Sequence, residues 1–134
     1  MHANDTNNTN KLIHTELSYL ITGICFNIHN DLERYCKEKQ YSDAIEKKLK
    51  EINLPYKREL LVGESGNIID FLIDNKIILE IKAKRIVTKD DYFQTQRYLQ
   101  ILNIRLGLII NFRDKYIKPI RIVKIDTNLK SKFV

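Results

Sequence analysis

The spacing of apolar positions divides the chain into helix-period and strand-period stretches. Leu12, Ile13, Leu17, Leu20, Ile21, Ile24, Cys25 and Ile28 recur at helical spacing. They predict a helix capped by Thr9 or Asn10 and running to about Asn30. A second helix is expected from near Cys36 to near Ile52, with Tyr41, Ala44, Ile45 and Leu49 as its stripe and Pro55 beyond its end. The period then shortens. Lys57–Val62, Ile68–Ile73 and Ile77–Ala83 read as strands, joined by Gly63-Glu64-Ser65-Gly66 and by Asp74-Asn75-Lys76. Thr88 and Asp91 have capping-box spacing and would open a helix from Lys89 to about Asn103. Leu106–Asn111 and Pro119–Ile125 read as a fourth and a fifth strand. The order predicts an α/β fold. Three strands form an antiparallel meander, and the following helix carries the chain to another strand of the same sheet. The result is a mixed sheet of about four to five strands flanked by helices. Residues 1–9 read as a flexible polar tail, and residues 10–134 as a single domain.

Three charges interrupt the apolar strands: Asp70, Glu80 and Lys82. Charged groups seldom enter buried strands unless they are paired or bind a metal. Glu80 and Lys82 are two apart, so they share a face of their strand. Two acids and an ammonium on one sheet surface suit metal-assisted phosphodiester cleavage: the acids hold a hard cation, and the lysine meets negative charge. The turn decides whether Asp70 joins them. A two-residue loop sets Asp70 opposite Leu79 and turns Glu80 away. A three-residue Asp74-Asn75-Lys76 loop sets Asp70 opposite Glu80, with Asn75 or Lys76 left-handed, or else one arm is bulged.

Net charge is +6, and it is unevenly distributed. Residues 1–80 hold 10 Lys/Arg against 13 Asp/Glu, whereas residues 81–134 hold 13 against 4. A basic half beside an acidic pocket suits a polyanion, although a lysine-rich soluble surface has the same composition. No apolar run is long enough to span a membrane, and the polar start lacks the core of a signal peptide, so a cytoplasmic protein is expected. Cys25 and Cys36 show no disulfide or zinc spacing and read as reduced thiols.

The order of elements around Asp70…Glu80-x-Lys82 resembles the PD-(D/E)XK nuclease superfamily, and within it the small GxxExxY proteins. The likeness covers about Glu16 to Val123. Gly23-Ile24-Cys25-Phe26-Asn27-Ile28-His29-Asn30-Asp31-Leu32 resembles that family's G-x-x-x-x-V-H-x-x-L helix, and residues 35–41 hold its GxxExxY position. Ile69-Asp70-Phe71 and Leu79-Glu80-Ile81-Lys82 resemble its aspartate and ExK strands. Gln94, Tyr98-Leu99 and Leu106-Gly107-Leu108-Ile109-Ile110-Asn111-Phe112 resemble its Q…YL…LGLLINF segment. The chain departs from the pattern in two places: Glu33-Arg34-Tyr35 replaces the family's G-x-G turn after Leu32, with Tyr35 at the eponymous glycine, and Ile68 stands where an arginine is common.

The resemblance implies a Mg²⁺-dependent nuclease, with Mn²⁺ as a substitute, that cleaves nucleic acid by attack of a metal-activated water. Asp70, Glu80 and the Ile81 carbonyl would hold the metal. Lys82 would orient the water or steady the phosphate. Glu38 would reach over from the helical layer, and Gln94 would hold a metal-bound water or a phosphate oxygen. Lys84, Arg85, Lys89 and Arg97 would contact the nucleic-acid backbone, with Arg105 a further member of the basic set. Each residue also has a plainer reading. Asp70 also reads as a strand-edge acid, Glu80 as an ion-pair partner of Lys82, and Glu38 and Gln94 as solvated helix residues. His29 reads as a satisfied structural histidine, and Tyr41 as a core residue with its hydroxyl tied near the site. Two other functions keep the same fold: an inactive nucleic-acid-binding module, and a regulatory or interaction subunit. With no separate recognition domain, strong sequence specificity would need a homodimer or a partner.

Overall fold

The computed structural model describes residues 13–125. Its elements are α1 (Thr15–Leu32), α2 (Glu38–Glu51), β1 (Tyr56–Val62), β2 (Asn67–Ile73), β3 (Ile77–Lys82), α3 (Lys89–Leu102), β4 (Leu106–Asn111) and β5 (Ile120–Val123). The strands form one sheet in sequence order, β1-β2-β3-β4-β5. Every neighbouring pair is antiparallel except β3 and β4, which are parallel. The α3 crossover makes that parallel pair, as the order of elements implied. The first helix starts later than its apolar pattern suggested, at Thr15 behind a left-handed His14, and runs on to Leu32. The proposed caps Thr9 and Asn10, and the tail 1–9, lie outside the described residues. Leu20, assigned to the apolar stripe, is exposed.

Helices cover both faces of the sheet. On one face α1 and α2 bury Ile21, Ile24, Tyr41, Ile45 and Leu49 against Phe71, Ile73, Leu79, Ile81 and Leu108. On the other, Tyr98 and Leu99 of α3 pack on Ile78 and Ile109. A central sheet covered twice explains why β3 and β4 read as near-continuous apolar runs. Gly107 permits the close approach of α3: a Cβ there would lie 2.8 Å from the Thr95 methyl carbon. Asp91 completes the expected N-terminal cap, its Oδ2 accepting from the Thr88 N–H at 2.8 Å.

The β1–β2 hairpin does not keep one face throughout. Tyr56, Phe71 and Ile73 lie on the α1/α2 side, but Leu60, Val62 and Ile69 lie on the α3 side. Residues two apart on a strand should share a face. The exchange occurs where Glu59 takes a left-handed φ of 54° in mid-strand. Pairing keeps one register on either side, with Arg58 opposite Phe71 and Leu60 opposite Ile69. Glu59 therefore stands across from Asp70, and both strands roll over at that point.

Candidate active site

The loop between β2 and β3 has three residues. Ile73 pairs with Ile77, Leu72 with Ile78 and Phe71 with Leu79. Asp74 and Asn75 are both left-handed, at φ 53°. This is the odd loop that the metal reading required, and it continues the register to Asp70 opposite Glu80.

At that position the ordinary ladder gives way to side chains. The Asp70 N–H donates to Glu80 Oε2 at 2.9 Å, and the Ile81 N–H donates to Asp70 Oδ2 at 2.6 Å. Each carboxylate is thus drawn into the gap between β2 and β3 by the main chain of the other strand. The Ile81 N–H points towards β2, and in an extended strand the carbonyl of the same residue points the same way. The Lys82 carbonyl faces β4, where it accepts from the Phe112 N–H at 2.8 Å.

Burial dominates the electrostatics. Glu80 is 4% exposed. Loss of water, and then the charge of Asp70, push its carboxyl up to about 8. Burial raises Asp70 as well; the Ile81 N–H opposes this and the charge of Glu38 adds to it. Burial and the negative charge of Glu80 push the neighbouring Tyr98 hydroxyl up to about 12. A cation bound between these acids would offset their mutual repulsion.

Glu38, the first residue of α2, enters from the helical layer. Its Oε2 accepts from the Ala83 N–H at 3.3 Å. With Asp70, Arg58 and Glu59 it lines an open pocket of about 250 Å³. Lys82 faces α3 together with Glu80, but its partner is Asp91, at 3.7 Å, rather than Glu80. Its side chain is only 17% exposed, so it is held in the structure rather than solvated at the strand end. Lys84 pairs with the same Asp91. Burial opposes ionisation of Asp91, but Lys84, the Thr88 N–H and Lys82 outweigh it and hold its pKa below the ordinary value. Gln94 is half-buried on α3, three residues past Asp91 and four before Tyr98, both of which interact with the β3 charges.

The structure divides the basic set. Lys84, Arg85 and Lys89 follow β3 directly or open α3, close to Lys82 in the chain; Arg97 is exposed two turns along α3. Arg105 lies at the other end of the sheet: it precedes β4, whose first residue pairs with the start of β3, whereas Lys82 pairs with the last. His29 is satisfied by the Asp114 carbonyl, 2.9 Å from Nε2. Tyr41 stacks on Phe112 in the core with ring centroids 4.2 Å apart, and its hydroxyl donates to the Glu33 carbonyl and accepts from the Cys36 N–H.

Glu59 and Asp91 were not singled out as site residues from the sequence. Asp91 was legible only as a helix cap, because its second role depends on the crossover. Glu59 carries no local signal, since a polar residue in a strand is ordinary on an exposed face.

The donors suit a divalent cation. Among the described residues, no three His, Cys, Asp or Glu side chains form a ready-made cage. Two carboxylates, each with one oxygen not used in the bonds above, and a main-chain carbonyl instead match Mg²⁺, which keeps much of its water. A larger groove of about 1000 Å³, bordered by Tyr19 and Arg121, shares none of these residues. No described helix is long and apolar enough to cross a membrane. A family model for the PD-(D/E)XK nuclease superfamily matches residues 15–123. No curated protein and no solved structure matches the chain.

Proposed function

We propose that this chain, which belongs to the PD-(D/E)XK nuclease superfamily, hydrolyses phosphodiester bonds of nucleic acid with Mg²⁺ at Asp70 and Glu80. Nucleases of this superfamily typically use divalent metals. Within it, the GxxExxY proteins are the narrower grouping that the motifs favour. The observation that carries the reading is the pair of crossed hydrogen bonds in which the Asp70 N–H donates to the Glu80 carboxylate and the Ile81 N–H donates to the Asp70 carboxylate. One buried and one half-buried acid are brought into one gap, with Lys82 beside them.

Asp70, Glu80 and the Ile81 carbonyl would hold the cation, with Glu38 near enough to influence both acids. The bound ion would neutralise phosphate charge and make a water molecule more acidic. Lys82 would meet the charge that develops on the phosphate. Asp91 keeps that ammonium beside the site and limits the cost of burying it. Gln94 would orient a water or a phosphate oxygen from the adjoining turn of α3. Lys84, Arg85, Lys89 and Arg97 would take backbone phosphates, and the reaction would occur in the cytoplasm.

The test is cleavage of single- and double-stranded DNA and RNA with and without Mg²⁺ or Mn²⁺, beside a binding titration in EDTA. Metal-dependent cleavage is expected. Tight, salt-sensitive binding without cleavage under any divalent metal would favour the inactive binding module. Neither binding nor cleavage would leave the regulatory subunit.

A further inference from the structure

Next to the acidic gap, three segments meet whose side chains the proposed chemistry does not use. Arg34 Nε donates to the Arg113 carbonyl at 2.9 Å, and Arg113 Nε donates back to the Arg34 carbonyl at 3.1 Å. Arg113 also donates to the carbonyl of Ala83, the residue whose N–H is held by Glu38. Asn111 ties the same rim, bonding both the N–H and the carbonyl of Lys84. Tyr35 projects from this rim. The guanidinium carbons of Arg34 and Arg113 lie 5.2 and 5.5 Å from its ring centroid. The Tyr41 hydroxyl fixes the loop on both sides of Arg34 and Tyr35, through Glu33 and Cys36.

We propose that Tyr35 is a stacking platform for an unpaired base, flanked by Arg34 and Arg113 as phosphate ligands, so that the site takes single-stranded nucleic acid. The proposal rests on the nuclease reading and specifies its substrate class. Tyr35 is 75% exposed, so the two guanidinium groups leave most of the ring open. A large aromatic in water gains by covering a face, and every base offers a flat π surface. Neither arginine has a carboxylate partner among the described residues, so both charges are available to an anion. Their carbonyl contacts hold them in place before binding, which lowers the ordering cost. Within a duplex the π faces are already stacked on one another. An aromatic at the rim therefore discriminates in favour of strands whose bases are free.

Binding of labelled oligothymidylate and of a blunt duplex of equal length, followed by fluorescence anisotropy in EDTA, tests the proposal. Tyr35→Ala should weaken single-strand binding roughly 5- to 150-fold, the range for losing one stacked base. Tyr35→Phe should stay within about 2-fold of wild type, because the ring is kept. Duplex binding should change little in either variant. Tyr35 is exposed, and thermal melts would verify that both variants fold. Equal losses on duplex and single strand, or a Phe variant as weak as Ala, would overturn the platform. Single-strand binding indifferent to Tyr35→Ala would overturn it too, while metal-dependent cleavage by the same wild-type protein would keep the nuclease reading. Absence of binding to either ligand would overturn the platform, with the cleavage assay deciding the nuclease reading separately.

Discussion

Glu59 stands across the β1–β2 ladder from Asp70, and its φ of 54° marks where both strands change face. A non-glycine residue held left-handed costs about 1 kcal/mol or more, and such strain concentrates at functional sites. Here the roll sends Ile69 to the α3 side while Phe71 stays on the α1/α2 side. Asp70, between them, is left at the opening of the strands. Glu59→Gly should therefore hold or raise the apo melting temperature, because glycine takes this conformation freely. Glu59→Val should destabilise by about 1–2 kcal/mol, since a β-branched residue resists positive φ. Denaturant melts of the three proteins check the order. A valine variant as stable as wild type would show that the backbone at 59 relaxes without cost.

Glu80 makes the metal-free protein sensitive to pH. Its folded-state pKa of about 8 lies above the ordinary 4.5. The folded state therefore binds its proton more tightly than the unfolded chain does. The resulting stability is fully present below about pH 4.5 and is lost as pH climbs through about 8. In EDTA the melting temperature should fall over that interval apart from other titrations, and Glu80→Gln should flatten the fall. Added Mg²⁺ should restore stability on the alkaline side. Identical pH profiles for wild type and Glu80→Gln would remove Glu80 as the cause.

Asp70→Asn separates structural from metal-binding roles. The amide oxygen can still accept from the Ile81 N–H, while the charge that opposes Glu80 is lost. The apo variant should melt at or above the wild-type temperature. It should lose the stabilisation that Mg²⁺ or Mn²⁺ gives wild type. Severe apo destabilisation would instead make Asp70 a structural acceptor that needs its charge.

Lys82 and Lys84 share Asp91 but should fail differently. Lys82→Ala should lower kcat by about 100-fold or more, with a smaller change in binding, if its ammonium acts mainly on the transition state. The fold should survive, because Lys84 still neutralises Asp91. Arg85→Ala should weaken binding and reduce the slope of log affinity against log salt by about one contact. Lys84→Ala should reduce that slope less, since its charge is already engaged by Asp91. Steady-state kinetics beside a salt titration distinguish these outcomes. A loss in Lys82→Ala confined to affinity would make Lys82 a phosphate contact only.

Much of the fold was legible from the chain alone, because local rules govern it. Apolar spacing located α2, β2 and β4, and the Thr88/Asp91 capping box located the start of α3. The Asp74-Asn75-Lys76 turn set the register that brings Asp70 to Glu80, since a strand has period two and one residue of loop length decides which face a side chain takes. Only the tertiary structure decided who meets whom across the layers. The parallel crossover placed Asp91 on Lys82, and the folding of α1 against the β4 turn brought Arg34 to Arg113, 79 residues away. It also required the reversal at Glu59, which no periodicity signals, because a single residue's φ answers to the packing of both sheet faces. Periodicity reports which side of an element is buried. The partners that tune a buried charge are chosen by the packing of elements distant in sequence.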